Sequence, residues 1–189
     1  MGYGWRLDPQ KLIQLSGKGF SAFKSLKNGI KMDTKKIIEV AEKEIGTTEV
    51  PPNSNKTKYG VWFGYDGVAW CGIFVSWCYH NAGFPLGNIG FLKGFAGCQT
   101  AVKTFKESSR VTENPQPGDI VFFDWEMDGR YDHTGIFVKK IDNVYFETIE
   151  GNTSLTNQSN GGEVMRRKRK YGKGVLFVHP KCLDEVILA

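Results

Sequence analysis

The sequence of 189 residues lacks the features of several large protein classes. It contains no uninterrupted apolar run near the roughly 20 residues that cross a bilayer, and its start lacks the apolar run and cleavage site of a signal peptide. It also contains no internal repeat and no low-complexity tract. We therefore expect a soluble chain with no membrane partner, whose export would depend on another component.

Metal-binding and redox cysteine motifs are also missing. The four cysteines form no C-x-x-C pair and no Cys/His group with zinc-ligand spacing, which argues against a zinc ribbon or a thioredoxin-like site. A chain of this length with 40% hydrophobic residues can build one core without disulfides. We therefore expect reduced thiols.

The net charge of +5 is confined to the first part of the chain. Residues 1–32 carry six basic side chains against one acidic, whereas residues 33–189 are balanced at 19 of each. A nucleic-acid-binding domain would carry its positive charge on the folded part, so we expect no nucleic-acid partner. We interpret 1–32 as a weakly structured basic leader or linker with one short amphipathic helix, 33–181 as the folded domain and 182–189 as a tail.

Helical patterns come first in that domain and strand patterns follow. The spacing of apolar residues and the capping residues predict helices over 34–45, 71–82 and 100–107, with an irregular segment over 59–70. Short β-rich runs predict strands over 119–124, 134–140, 144–149, 164–170 and 175–179. This order predicts an α+β fold in which N-terminal helices pack on an antiparallel sheet of about five or six strands.

Cys71 stands where an aromatic loop enters the second predicted helix. A thiol at a helix N-terminus lies near the positive end of the macrodipole, which favours the thiolate, and the free N–H groups there can stabilise an oxyanion. Taken alone, Cys71 fits a buried structural cysteine equally well. Cys98, which follows Gly97 before the third helix, is the alternative nucleophile, and Cys78 lies about 10 Å deeper along the helix of Cys71.

A cysteine nucleophile needs a base, and the chain has three histidines. His80 lies nine residues beyond Cys71, which places it about 13 Å away on the opposite face of the same helix. His179 has no polar neighbour in the sequence and is assigned a surface or capping role. His133 remains, at the start of a strand.

The strand after His133 ends in a carboxylate and an amide, Glu150 and Asn152. Residues i and i+2 of an extended chain share a face, so both side chains can point towards the same imidazole and fix its tautomer. The alternative for Glu150 is an ordinary solvated acid at a strand end.

Three short blocks together resemble a known family. Trp70-Cys71, Asp132-His133-Thr134-Gly135 and Glu150-Gly151-Asn152 are similar to the signature blocks of the CHAP domain, the cysteine/histidine-dependent amidohydrolase/peptidase of phage and bacterial cell-wall lysins. The resemblance covers about residues 34–180. It implies a papain-like fold of the NlpC/P60 superfamily.

The resemblance also implies roles for the site residues. Cys71 would be the nucleophile, His133 the base and acid, Glu150 the group that orients His133, and Asn152 a supporting polar group. Some phage members carry a calcium loop of closely spaced acids before the cysteine, whereas this stretch offers only Asp66. We therefore expect no metal and no cofactor.

The substrate implied by the family is bacterial peptidoglycan. The bond would be the N-acetylmuramoyl-L-alanine amide or a peptide bond of the stem or cross-bridge. The chain would act at the bacterial cell wall as a phage endolysin, released from the host cytoplasm by a holin, or as a virion-associated lysin. The leader would then join a virion or a larger lysin.

Two surface features need an interpretation. The aromatic residues Trp62, Tyr65 and Trp70 precede Cys71 and are candidates for lining a substrate groove. The basic run 166–170 alternates faces on a strand and is interpreted as a solvated edge strand rather than as a binding patch.

Two alternatives to a wall hydrolase stay open. The same chemistry would serve an amidase acting on a non-wall amide or an interbacterial toxin. A module that retains the fold without catalysis would bind the wall or build part of a virion.

Overall fold

The computed structural model describes residues 33–158 and 160–180. The basic leader with its predicted helix, and the tail with Cys182, lie outside these residues. Within the described part of the chain, no helix is long and apolar enough to cross a membrane.

The described residues contain four helices. They are α1 (Thr34–Glu42), α2 (Lys58–Phe63), α3 (Cys71–Asn81) and α4 (Cys98–Glu107). Helix α1 begins as predicted, because the Asp33 carboxylate accepts a hydrogen bond from the Lys35 N–H. It ends at Glu42, before the predicted boundary at 45, and a turn leads on to Gly46.

Helix α2 corrects the prediction of an irregular segment over 59–70. The Thr57 hydroxyl accepts a hydrogen bond from the Gly60 N–H at 3.0 Å and caps the helix start, while Gly64 ends the helix in the left-handed conformation with φ +87°. Six residues make fewer than two turns, so no apolar period develops that would reveal the helix in the sequence.

Helix α3 is buried on nearly every side. Its side chains from Cys71 to Ser76 are all buried, and the helix packs against α1, α2 and the third and fourth strands of the sheet. A helix that is apolar all round belongs in the middle of a core. The start of α3, which carries Cys71, is therefore held by surrounding structure.

Six strands form one antiparallel sheet in the described residues. They are β1 (Val111–Thr112), β2 (Ile120–Phe123), β3 (His133–Lys140), β4 (Tyr145–Thr153), β5 (Glu163–Lys170) and β6 (Val175–Val178), in the spatial order β1-β6-β2-β3-β4-β5. This confirms the predicted α+β fold. The two-residue β1, which pairs with β6, is too short to show a strand pattern in the sequence.

Apolar side chains of the sheet pack in two clusters. Ile120 and Phe122 of β2 join the core formed with the helices, whereas Val121 and Phe123 join an aromatic cluster with Phe146. Neighbouring residues of a strand point to opposite faces, so β2 reads as a continuous apolar run because both of its faces are covered.

Gly151 allows α3 to lie close against β4. A Cβ at this position would lie 2.6 Å from Phe74 Cβ and 2.7 Å from the Trp70 ring. Only a residue without a side chain permits this approach. The contact places the beginning of α3 beside the end of β4, where Glu150 lies.

Candidate active site

Cys71 is the first residue of α3 and is 3% exposed. Its thiol interacts with the His133 ring, and each group shifts the pKa of the other towards the charged form. The hydrogen bond from Cys98 is the largest cause that lowers the Cys71 pKa well below its usual value; burial opposes this shift, and His133 adds to it. A thiolate is therefore favoured at a position from which most water is excluded.

His133 is the first residue of β3 and is fully buried. Its Nε2 lies 3.0 Å from Glu150 Oε2, and because an ionised carboxylate only accepts, Nε2 must carry a proton. Nδ1 has no hydrogen-bond partner among the described residues, which leaves it available to accept or donate a proton in the reaction. Burial alone would lower the His133 pKa, but the hydrogen bonds and charges of Cys71 and Glu150 outweigh burial and raise it to about 9.

Glu150 is fully buried on β4 and accepts four hydrogen bonds. Besides His133, the donors are Thr148 Oγ1 at 2.5 Å, Arg169 Nε at 2.7 Å and Arg169 Nη2. Burial would raise the Glu150 pKa, yet the bonds from Arg169 and His133 lower it to about 2. The carboxylate therefore stays charged and holds the His133 ring from one side.

Arg169 is a site residue that the sequence analysis missed. Strand β5 is an edge strand, as predicted, but Arg169 is 6% exposed, so the prediction that its charge is solvated is wrong. Its guanidinium lies 5.2 Å from the Phe123 ring centroid and 4.8 Å from that of Trp125, and Nη1 donates to Gln158. The alternation of the basic run predicts that its side chains divide between the two faces of the strand, but not that one of them is buried against Glu150.

Asn152 does not make the contact that the sequence suggested. It is buried, yet its amide has no hydrogen-bond partner among the described residues, the His133 ring included. Asn152 has φ +58°, and the pairing of β4 with β5 shifts register between Glu150 and Thr153. This irregularity breaks the alternation that would have placed Asn152 on the same face as Glu150.

The second cysteine, Cys98, lies beside the first. It is the first residue of α4, and its Sγ is 3.9 Å from Cys71 Sγ. The hydrogen bond with Cys71, followed by burial, raises the pKa of Cys98 well above its usual value. Cys78 lies deeper in the core, where burial raises its pKa. All three are free thiols in the structure.

The other two histidines have different surroundings. His80 is exposed near the far end of α3, with its ring centroid 5.0 Å from that of Trp62. His179 is half-exposed, and its Nδ1 lies 2.6 Å from Oδ1 of Asp119, a partner 60 residues away in the chain that no local pattern could reveal. His179 pairs with Asp119 whereas His133 pairs with Glu150, so the two histidine–carboxylate pairs are distinct.

The predicted substrate-binding role of Trp70 is wrong. Trp70 is fully buried, and its indole Nε1 donates to Glu49 Oε1 at 3.0 Å within the core. Trp62 packs beside His80 at the other end of α3 from Cys71. Tyr65 is 48% exposed and stacks on Phe91. Substrate binding by Trp62 and Tyr65 stays a prediction. Because of its position, Trp62 could contact only a part of the substrate that lies far from the Cys71 thiol.

No group of three or more His, Cys, Asp or Glu side chains within 33–158 and 160–180 is arranged to hold a metal ion. The chemistry that the described residues themselves offer is that of a buried thiolate and imidazolium. A charged carboxylate holds the imidazolium in place, and a guanidinium holds that carboxylate.

Comparison with known proteins supports the resemblance drawn from the three sequence blocks. Residues 63–152 match the CHAP domain family, which confirms that resemblance. The matched segment contains Cys71, His133 and Glu150 and ends before Arg169. No curated protein matches the chain.

Among solved structures, one similar chain is an N-acetylmuramoyl-L-alanine amidase from Staphylococcus aureus. It has 12% sequence identity and a TM-score of 0.42, and the alignment covers 61% of this chain. The alignment covers 31% of the amidase chain, so this chain spans less than a third of that protein.

Proposed function

We propose that this chain, which carries the CHAP match over residues 63–152, is a cysteine-dependent hydrolase that cleaves an amide bond in bacterial peptidoglycan. One observation carries the proposal. Cys71, at the start of a buried helix, interacts electrostatically with His133, and Glu150 Oε2 lies 3.0 Å from Nε2 of that histidine, which leaves Nδ1 free. Nucleophile, base and orienting group are therefore connected in the order that acyl transfer requires.

In the proposed reaction, the Cys71 thiolate attacks the carbonyl carbon of the amide. The N–H groups of the first turn of α3 stabilise the oxyanion, and His133 Nδ1–H gives its proton to the leaving amine as the C–N bond breaks. The products of this step are a free amine and a thioester on Cys71. His133 then takes a proton from water, which attacks the thioester, releases the carboxylic acid and restores the thiolate.

The finer assignments rest on the family resemblance. We propose cleavage of the N-acetylmuramoyl-L-alanine amide or of a stem or cross-bridge peptide bond, at the cell wall, by a phage endolysin or a virion-associated lysin. The basic leader would join the domain to a virion or to a larger lysin. Asn152 remains a candidate supporting group, through contact with substrate rather than with His133.

The decisive experiment is digestion of purified sacculi. The full chain should release soluble fragments in EDTA but not after treatment with iodoacetamide, and Cys71→Ala should be inactive. Cys78→Ala is the matched control, because it removes a buried thiol of the same helix that lies about 10 Å from Cys71. Fragment release by Cys71→Ala at the wild-type rate would contradict the proposal.

The products identify the bond and separate the alternatives. Mass spectrometry of the digested sacculi should reveal one new N-terminus, which is L-alanine if the muramoyl amide is cut. Hydrolysis of small amides without fragment release would favour the non-wall amidase. Binding to sacculi without any new N-terminus would favour the structural module.

A further inference from the structure

Two helix N-termini meet at one pair of thiols. Cys71 opens the 11-residue α3 and Cys98 opens the 10-residue α4, and the two sulfur atoms are 3.9 Å apart. Both residues are buried, at 3% and 6% exposure. At this separation the sulfurs form a hydrogen bond in which either atom can donate. The question is therefore which sulfur carries the proton.

The surroundings of the two thiols differ in charge. Cys71 interacts with the His133 ring, which is positively charged when protonated, so a negative charge on Cys71 is stabilised. Cys98 lies in the field of the Asp132 carboxylate, so a negative charge on Cys98 is opposed. The proton therefore belongs on Cys98 and the negative charge on Cys71.

The two pKa values shift in the directions that this distribution requires. The hydrogen bond from Cys98 is the largest cause of the lowered Cys71 pKa, ahead of the contributions of His133. The pKa of Cys98 is raised, first by that same hydrogen bond and then by burial. Cys98 thus keeps its proton at pH values where Cys71 is ionised.

We propose that Cys98 is a catalytic residue whose S–H donates a hydrogen bond to the Cys71 thiolate and keeps the nucleophile ionised in a nearly buried site. The inference rests on the proposed function only in taking Cys71 as the nucleophile. It replaces the view of Cys98 as an alternative nucleophile. Cys71 would attack the substrate, and Cys98 would act only as the hydrogen-bond donor to Cys71.

The test measures Cys71 directly, without a substrate. The full chain, kept in a non-thiol reductant, is alkylated with iodoacetamide across a pH series, and the rate at Cys71 is followed by peptide mapping. Cys98→Ala removes the donor and should move the inflection of the rate upward by about one pH unit, with about tenfold slower alkylation below it. Cys98→Ser keeps a donor and should retain most of the wild-type inflection.

Cys78→Ala is the control, since it removes a buried thiol outside this pair and should leave the inflection unchanged. The proposal would be overturned if the inflection of the alkylation rate in Cys98→Ala stayed at the wild-type pH. It would also be overturned if Cys98→Ala and Cys98→Ser shifted the inflection equally, because both changes would then act through packing. Should Cys98→Ala fail to fold, the wild type decides: Cys71 must be alkylated before Cys98, and the reverse order refutes the assignment.

The alkylation result is independent of the substrate. A chain that leaves sacculi intact but shows the Cys98 effect would contradict the proposed function alone. A chain that digests sacculi but shows no Cys98 effect would contradict this inference alone.

Discussion

Replacement of Arg169 by alanine tests whether a buried ion pair holds the site together. Arg169 donates two of the four hydrogen bonds that Glu150 accepts, and both side chains are almost completely buried. In Arg169→Ala the Glu150 carboxylate would keep only Thr148 and His133 as donors. Removing one partner of a buried ion pair costs about 3–5 kcal/mol, because the other charge stays desolvated.

We therefore expect Arg169→Ala to lower the free energy of unfolding by about 3–5 kcal/mol in urea titrations followed by circular dichroism. Arg169→Lys should give an intermediate loss, because an ammonium group keeps the charge without the two-pronged geometry. Arg166→Ala is the matched control from the same strand. Its side chain is 37% exposed and pairs with Glu42 and Glu147 at the surface, so its loss should be below about 1 kcal/mol.

The pH dependence of stability separates this ion pair from simple packing. The Glu150 pKa is lowered from 4.5 to about 2 in the folded chain, so its stabilising contribution is fully present above pH 4.5 and is lost as the pH falls through 2. In Arg169→Ala the free energy of unfolding should fall less between pH 4.5 and pH 2 than it does in the wild type. If Arg169→Ala loses no more stability than Arg166→Ala and keeps the wild-type dependence on pH, the buried ion pair does not hold the site together.

Three further substitutions probe the same region. Cys71 and then Glu150 raise the His133 pKa to about 9, and Glu150→Gln removes the second of these charges, so the alkaline limit of activity in a pH–rate profile should move down by about one pH unit or more. Gly135→Ala would place a Cβ 2.5 Å from Glu150 Cγ. We expect it to displace the carboxylate, to lower the rate of sacculus digestion at least about tenfold and to cost about 1–3 kcal/mol in urea unfolding. Trp70→Phe leaves the buried Glu49 without its indole donor, and urea unfolding should show a loss of about 1–3 kcal/mol.

Local features of the chain were sufficient to predict most elements. Helix α1 follows from an Asp33 cap and an apolar stripe, and both signals act within a few residues. The start of α3 at Cys71 and of β3 at His133 could be located because each follows a loop and opens a continuous apolar run. Helix α2 and strand β1 were missed because each is too short for a period to develop.

Side-chain direction was harder to predict than position. Trp70 adjoins Cys71 in the chain, yet its ring lies in the core and bonds to Glu49, because the residue before a helix can turn either way. Asn152 lies two residues from Glu150, but the pairing of β4 with β5 is irregular there and its amide makes no hydrogen bond with the imidazole. The positions of the Trp70 ring and the Asn152 amide are set by tertiary packing and strand pairing, not by the preference of either residue for helix or strand.

The sequence by itself determined the α+β order of elements and the separate positions of Cys71, His133 and Glu150, since capping, alternation and short motifs act along the chain. Only the tertiary structure decided which groups surround them. Cys98 is 27 residues from Cys71, and Arg169 is 19 residues from Glu150 on the neighbouring strand. Such contacts arise from helix packing and strand register, and they place the thiol donor and the buried guanidinium beside the three residues.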